Sequence, residues 1–385
     1  MPLTGIKVIE ACSHVAGPVT GTIFGDLGAD VIKVEKPNGG DDARIAEVPV
    51  WNGQGSLFQA INRNKRSITV DLKDSADLAA LKKLVAEADV FVHNMRPGVA
   101  ESIGLSSADA LSLNPRLIYC VIGAYGTKGP WNSRSGYDGL AQALSSQMSG
   151  NGEPGGDPLL VADWTVDKGA GMWAAIAILG ALFRRSTTGR GGIVETSLLE
   201  ASLFSRDSAF AAYLASGRVG PRPGNSSPHA VPYGVFSTAD RPMIIGCAGD
   251  GLFAVLAKLL GHTDWVGDPR YATNAARVAN RAEVDAMIED ALASRTRDEW
   301  IELLGTNRIP CAPILDTAEA FAHPQVKALE IFQSPPGLDM PLVSAAWTMD
   351  GVRPGIRRAA PSLGEDNQSV LGKQAVQKEA PQRAL

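Results

Sequence analysis

The sequence predicts an α/β protein: a mostly parallel sheet with helices on both faces, followed by a second, smaller α/β unit. Three observations predict it. Short β-branched runs alternate with helical patterns from Gly5 to about Ala124. A long apolar helical pattern opens at Asp167. A Gly/Pro/Ser-rich stretch, "SGRVGPRPGNSSPHAVPYG" (residues 216–234), then interrupts the alternation before it resumes.

Taken in order, "GIKVIEA" is a strand, "CSHVAGP" a loop, "VTGTIFGDLGA" a helix and "DVIKVE" a second strand, which together make a βαβ unit. "SITVDL" is a third strand. "SADLAALKKLVAEA" is an amphipathic helix with Ser75 as its N-cap and Leu78, Leu81 and Val85 on one face. "DVFVHN" and "RLIYCVIGA" are further strands. Two helical stretches follow, 167–185 and about 195–216, separated by "TTGRGG". Beyond the break come the strand "PMIIGCAG", the helix "DGLFAVLAKLLG", helices around 283–294 and 297–305, and "IPCAPIL". The last twenty residues are polar and read as a frayed tail.

Bulk properties exclude several classes. A net charge of -5 leaves no basic excess for nucleic acid, although a local patch still serves a small phosphorylated ligand. Cys12, Cys120, Cys247 and Cys311 lie far apart without CxxC spacing, so no metal site is expected, and their sparseness suits a reducing cytoplasm. The opening residues lack a signal-peptide apolar run. The apolar run from Met172 to Phe183 is too short to span a bilayer and reads as a buried helix, so no membrane partner is expected.

In parallel sheets ligands sit beyond the carboxyl ends of the strands, which marks residues 13–18, Lys36, 94–98 and 124–129 as one rim. The loop "CSHVAGP" lacks the GxGxxG spacing of a dinucleotide site, and its His14 on its own reads as an ordinary loop residue. Lys36, Arg44, Lys65, Arg66, Lys73 and Arg96 recur along the rim, as solvated surface or as phosphate ligands. "NMRPG" ends a strand with an amide and a guanidinium directed at a ligand. Asp167 opens the apolar helix. By residue type it is an N-cap; alternatively it is a nucleophile kept ionised by the helix N-terminus, with Asp163 competing for either role.

Together these stretches resemble the class III coenzyme A-transferases, the family of formyl-CoA transferase and carnitine CoA-transferase. The likeness covers "LTGIKVIEACSHVAGP", "LGADVIKVEKPNGGD", "NRNKRSITVDLK", "VHNMRPGVAESIGL", "NPRLIYCVIGAYGTKGP", "GYDGLAQA", "DKGAGMWAAIAILGALFRRSTTGRGGIVETSLLEA", "IPCAPIL" and "APSLGED", in that order. It implies that Asp167, four residues before Gly171, is the catalytic nucleophile, a spacing Asp163 does not fit. It implies coenzyme A and acyl-CoA as substrates with no tightly bound cofactor, and a carboxylic acid as acceptor. The CoA contacts it implies are His14, Val15 and Ala16; Lys36; Val70, Asp71, Leu72 and Lys73; Asn94, Met95 and Arg96; and Tyr137 with Asp138. Arg134 is a basic contact just before Tyr137 that no family position supports directly.

The resemblance also implies a ring-shaped chain in an interlocked homodimer. Its Rossmann-like large domain covers residues 1–190, followed by linker helices over 191–224, a small domain over 225–325, and a return to the large domain with a C-terminal tail over 326–385. His229 and Tyr233 either line the pocket for the acid or are linker residues, and the linker reading is favoured. Two departures stand out. "GNSSPHAVPYG" is short and lacks the glycine run that accompanies formyl-CoA and oxalate exchange, and Asp366 follows "LGE" where His is usual. The family also holds 2-methylacyl-CoA racemases, whose His stands before the Asp at the place of Tyr137. Tyr is too weak a base at neutral pH, which favours transfer over racemisation.

Overall fold

A computed structural model of the chain describes residues 1–46, 49–51 and 53–372. The described chain divides into two compact units. The first comprises Met1–Met148, Leu160–Arg218 and the chain from Leu329 onward; the second comprises Ser149–Leu159 and Val219–Ala328.

The first unit is built on six parallel strands. In chain order they are β1 (Lys7–Ala11), β2 (Asp30–Glu35), β3 (Lys65–Thr69), β4 (Val90–His93), β5 (Ile118–Gly123) and β6 (Gly192–Ser197). They lie side by side as β3-β2-β1-β4-β5-β6, an order that reverses direction between β1 and β4. β1, β4 and β5 are almost wholly buried, because helices cover both faces of the sheet. On one face α1 (Ala16–Asp26) and α5 (Thr165–Thr188) close a core with Val8, Val90, Val92 and Ile118. On the other, α2 (Ser75–Ala86) and α3 (Ser107–Leu113) pack near Ile9, Ile68 and Phe91. Asp74, not Ser75, caps α2, since its carboxylate accepts from the amides of Ala76 and Asp77.

The stretch from Glu195, expected as helix, begins instead as β6. The reason is a short alternation that the helical pattern hides: Ile193 and Glu195 are exposed while Val194 between them is buried. The helices α6 (Leu198–Phe204) and α7 (Asp207–Ser216) follow it.

Helix α5 is long and apolar enough to cross a bilayer by length and composition. Its Asp167, Ala170, Gly171, Ala174, Ala175, Ile178 and Ala181 nevertheless form one buried stripe at helical spacing. Small residues let it approach α1 closely. A Cβ on Gly171 would lie 2.5 Å from the carbonyl oxygen of Ala16 and 3.0 Å from Val19 Cβ, and Thr20 donates to the Gly171 carbonyl at 3.0 Å. Gly171→Ala gains about 1 kcal/mol of helix propensity but forces backbone apart, at about 1–3 kcal/mol. Urea denaturation is expected to show net destabilisation; a more stable variant would contradict the close crossing.

Asp366 takes a structural place. Its carboxylate accepts from the Ser67 amide at 3.0 Å and its own amide donates to the Ser67 carbonyl. Asn367 pairs likewise with Thr69. The C-terminal segment thereby covers the open edge of β3, whose backbone groups would otherwise be unpaired.

In the second unit β7 (Tyr233–Phe236), β8 (Met243–Gly246) and β9 (Cys311–Pro313) form an antiparallel sheet with β8 central. Helices α8 (Asp250–Leu259), α9 (Arg281–Leu292) and α10 (Arg297–Thr306) contribute Phe253, Leu256, Ile288, Trp300 and Leu304 to its core. Tyr233, read as a linker residue, opens β7, while His229 is exposed just before it.

Candidate active site

The site forms where the strand order reverses, beyond the carboxyl ends of β1 and β4. Asn94 stitches the two strand ends together. Its Oδ1 accepts from the Ser13 amide at 3.0 Å and its Nδ2 donates to the Ser13 carbonyl at 2.8 Å. This amide, expected to face a ligand, is therefore occupied within the protein. His14 follows in the left-handed region, φ 64°, which is costly for a residue with a Cβ. Its amide is held at 3.0 Å by Asp41 Oδ1. No side chain caps α1 at Val15, so the amides of Ala16 and Gly17 remain available to an anion, Pro18 having none.

Asp41 belongs to a buried ionic network beneath the loop. Lys33 Nζ meets Asp41 at 2.8 Å and Glu10 at 3.1 Å, and Lys65 Nζ meets the other Glu10 oxygen at 2.7 Å. Glu35 pairs through both oxygens with Arg44. Burial alone would lower the Lys33 pKa, but Asp41 and Glu10 raise it well above the usual lysine range. Burial brings Lys65 down to about 8 against the pull of Glu10. Arg44 and Lys65, two of the basic residues assigned to the rim, are thus internal cations.

Asp167 lies in the first turn of α5, after two residues in the left-handed region, Asp163 and Trp164. It does not cap the helix. That task falls to Asp138, whose Oδ2 accepts from the amides of Val166 and Asp167 at 2.8 and 3.0 Å while Oδ1 accepts from Gln142. Asp138, expected beside the pantetheine arm, is buried at the start of α4 (Asp138–Leu144). Burial first, and the neighbouring Asp138 charge second, push the Asp167 carboxyl up to about 7. The helix N-terminus, expected to keep this carboxylate ionised, is outweighed by burial and by the charge of Asp138, which itself accepts from the amides of Val166 and Asp167.

His93, at the end of β4, was not singled out from the sequence. Met95 N–H donates to its Nδ1 at 3.3 Å, its Nε2 lies 2.7 Å from the Tyr119 hydroxyl, and that hydroxyl donates to the Leu105 carbonyl at 2.9 Å. Burial pushes His93 down to about 4, so it is neutral at physiological pH. The chain of bonds holds the segment that carries Met95 and Arg96.

These elements enclose a cleft of about 540 Å³. It is lined by His14, Val15, Ala16, Asn94, Met95, Arg96, Arg134, Tyr137 and Asp167 among the residues the sequence points to, and also by Glu101 and Glu195. Lys36, Val70, Asp71, Leu72, Lys73 and Asp138 are not among its lining residues. Lys36 is paired with Asp42 at 2.6 Å, and Lys73 is exposed just after β3, toward the edge of the sheet. Among the described residues no cluster of His, Cys, Asp and Glu is arranged to hold a metal.

The chain matches the family model described as CoA-transferase family III over residues 3–367. It is 36% identical to a succinate–glutarate CoA-transferase of Agrobacterium fabrum, over 96% of this chain and 95% of that one. It is 35% identical to an acetyl-CoA:oxalate CoA-transferase of Acetobacter aceti, over 88% and 87%. A solved CAIB/BAIF family protein from Brucella suis shares its fold at a TM-score of 0.88 and 36% identity, over 97% and 99% of the two chains. A family model and relatives of this identity, each spanning most of the sequence, make the chain a member of CoA-transferase family III.

Proposed function

We propose that this family III CoA-transferase moves coenzyme A between dicarboxylic acids through acyl intermediates on Asp167. The observation that carries the reading is the Asp167 carboxylate lining the same cleft as the uncapped N-terminus of α1. Dicarboxylic acids are proposed because a relative matched over nearly its whole length is named for succinate and glutarate.

In this reading the Asp167 carboxylate attacks the thioester carbonyl of the donor, forming a mixed anhydride and expelling CoA thiolate. The thiolate attacks the aspartyl carbonyl, giving an aspartyl-CoA thioester and releasing the first acid. The acceptor carboxylate then displaces CoA thiolate as a second anhydride forms. Attack of the thiolate on the acceptor's acyl carbon yields the new thioester and regenerates Asp167. Each step exchanges one acyl bond for another of similar reactivity, which is the gain of covalent catalysis. The α1 amides and Arg96 are suited to anionic parts of CoA.

Nucleophilic attack requires the ionised acid. With Asp167 near pKa 7, kcat/KM is expected to rise with pH through about 7 and then level, falling roughly tenfold per pH unit below it. A profile flat from pH 5 to 8 would contradict an unliganded Asp167 of raised pKa. The reading itself is tested by incubating succinyl-CoA with glutarate and following glutaryl-CoA. Product without α-proton exchange in deuterated water supports transfer; exchange without net transfer supports the racemase alternative.

We further infer a homodimer of the interlocked kind. Met172, Ile176 and Phe183 on the outer side of α5 are exposed, Phe183 by 75%, and form an apolar stripe that a second copy would cover. Sedimentation as a monomer would contradict this. The setting inferred is the cytoplasm, in keeping with four free cysteines.

A further inference from the structure

The lining of the cleft contains two arginines, Arg96 and Arg134, and among the described residues neither is paired with a carboxylate. They differ in how they are held. Arg134 lies in a turn, its amide donating to the Trp131 carbonyl at 3.0 Å, and its guanidinium lies over the Trp131 ring at 4.2 Å. Trp131 in turn meets Tyr125 edge-on at 5.2 Å. Tyr125 is seated against Gly136, where a Cβ would come within 2.9 Å of its hydroxyl and ring. An exposed arginine ordinarily samples many rotamers; this one rests on a braced aromatic face. Stacking uses the flat side of a guanidinium and leaves the N–H groups at its edge free to donate. The turn leads directly through Tyr137 into Asp138, the residue that holds the first turn of α5 and with it Asp167.

We propose that Arg134, held by Trp131, anchors the distal carboxylate of a dicarboxylic substrate while the other carboxyl group reacts at Asp167. The inference rests on the transfer reading above and adds the residue that distinguishes diacids from monoacids. A planar guanidinium matches a carboxylate through two parallel hydrogen bonds, which a lysine in its place would not reproduce. Arg134 thus acts as a specificity residue that takes no part in bond making.

The test compares glutarate with its monomethyl ester as acceptors, using succinyl-CoA as donor, for the wild type, Arg134→Met, Arg134→Lys and Trp131→Leu. Arg134 is exposed, so its replacement leaves the fold intact. The wild type is expected to show a lower KM for glutarate than for the half-ester. Arg134→Met raises the glutarate KM about 10- to 100-fold, the scale of a lost charge-assisted contact, and the half-ester KM by far less, so that the preference for the diacid is lost. Arg134→Lys restores part of the preference, and Trp131→Leu loses part of it. If the wild type transfers CoA and Arg134→Met keeps the wild-type preference, the Arg134 assignment falls while the transfer reading stands. A rise in the KM for succinyl-CoA that is absent with the 3′-dephospho donor would also overturn it, by giving Arg134 to a CoA phosphate. A wild type that transfers CoA to no diacid overturns the transfer reading and this inference together.

Discussion

Asp167→Asn is expected to abolish CoA transfer, lowering kcat by at least about 10³-fold while acyl-CoA still binds. An amide of nearly the same shape cannot displace a thiolate from a thioester. The same substitution is expected to make the protein more stable above neutral pH. Asp167 is only 8% exposed, and burial with the Asp138 charge raises its pKa from 3.8 to about 7. Between these values the folded state retains a proton that the unfolded chain releases. Wild-type stability therefore falls as pH rises through that window, by on the order of 4 kcal/mol once the group is ionised in both states. Asparagine escapes this penalty. Urea denaturation should show the variant ahead at pH 8.5 and level with wild type near pH 4. Equal stability at both pH values would contradict the raised pKa, and retained turnover in Asp167→Ala would contradict the nucleophile.

Glu10→Ala is expected to destabilise the first unit by about 3–5 kcal/mol, because it leaves two buried ammonium groups without their shared counter-charge. Lys33, Lys65 and Glu10 are all fully buried, so solvent does not compensate. Glu10→Gln keeps the shape and separates charge from cavity effects. In that variant Lys65, already brought to about 8 by burial, loses the partner that supports its charge. A lysine depressed in the folded state contributes stability that increases as pH rises from its folded value toward 10.5. The penalty of Glu10→Gln should therefore be largest near pH 6 and shrink toward pH 9. A pH-independent penalty would contradict a charged Lys65 in the native state.

Much of the first unit was legible in the sequence because β-branched runs and helical stripes report burial directly. "KVIEA", "DVIKVE" and "VFVH" lie in adjacent strands, and their loops supply much of the cleft lining, His14 to Ala16 and Asn94 to Arg96. What stayed hidden involves groups paired across long sequence separations. A charge within a strand ordinarily reads as surface, so the burial of Lys33, Lys65 and Glu10 was not visible until three neighbouring strands placed them together. Asp138 and Asp167 are 29 residues apart, and no local pattern reveals that one carboxylate caps the helix bearing the other. The sequence marks Arg134 as a basic contact beside Tyr137 but not its stack on Trp131, which depends on a turn.

The most direct measurement is the mass of the peptide carrying residue 167 after the protein turns over acyl-CoA in the presence of hydroxylamine. An activated aspartyl carbonyl is captured as a hydroxamate, which makes that peptide heavier by one NH, and only when acyl-CoA is supplied. Recovery of this product at Asp167 is expected. An unmodified Asp167 peptide from protein that is transferring CoA would mean that the acyl group never passes through this side chain.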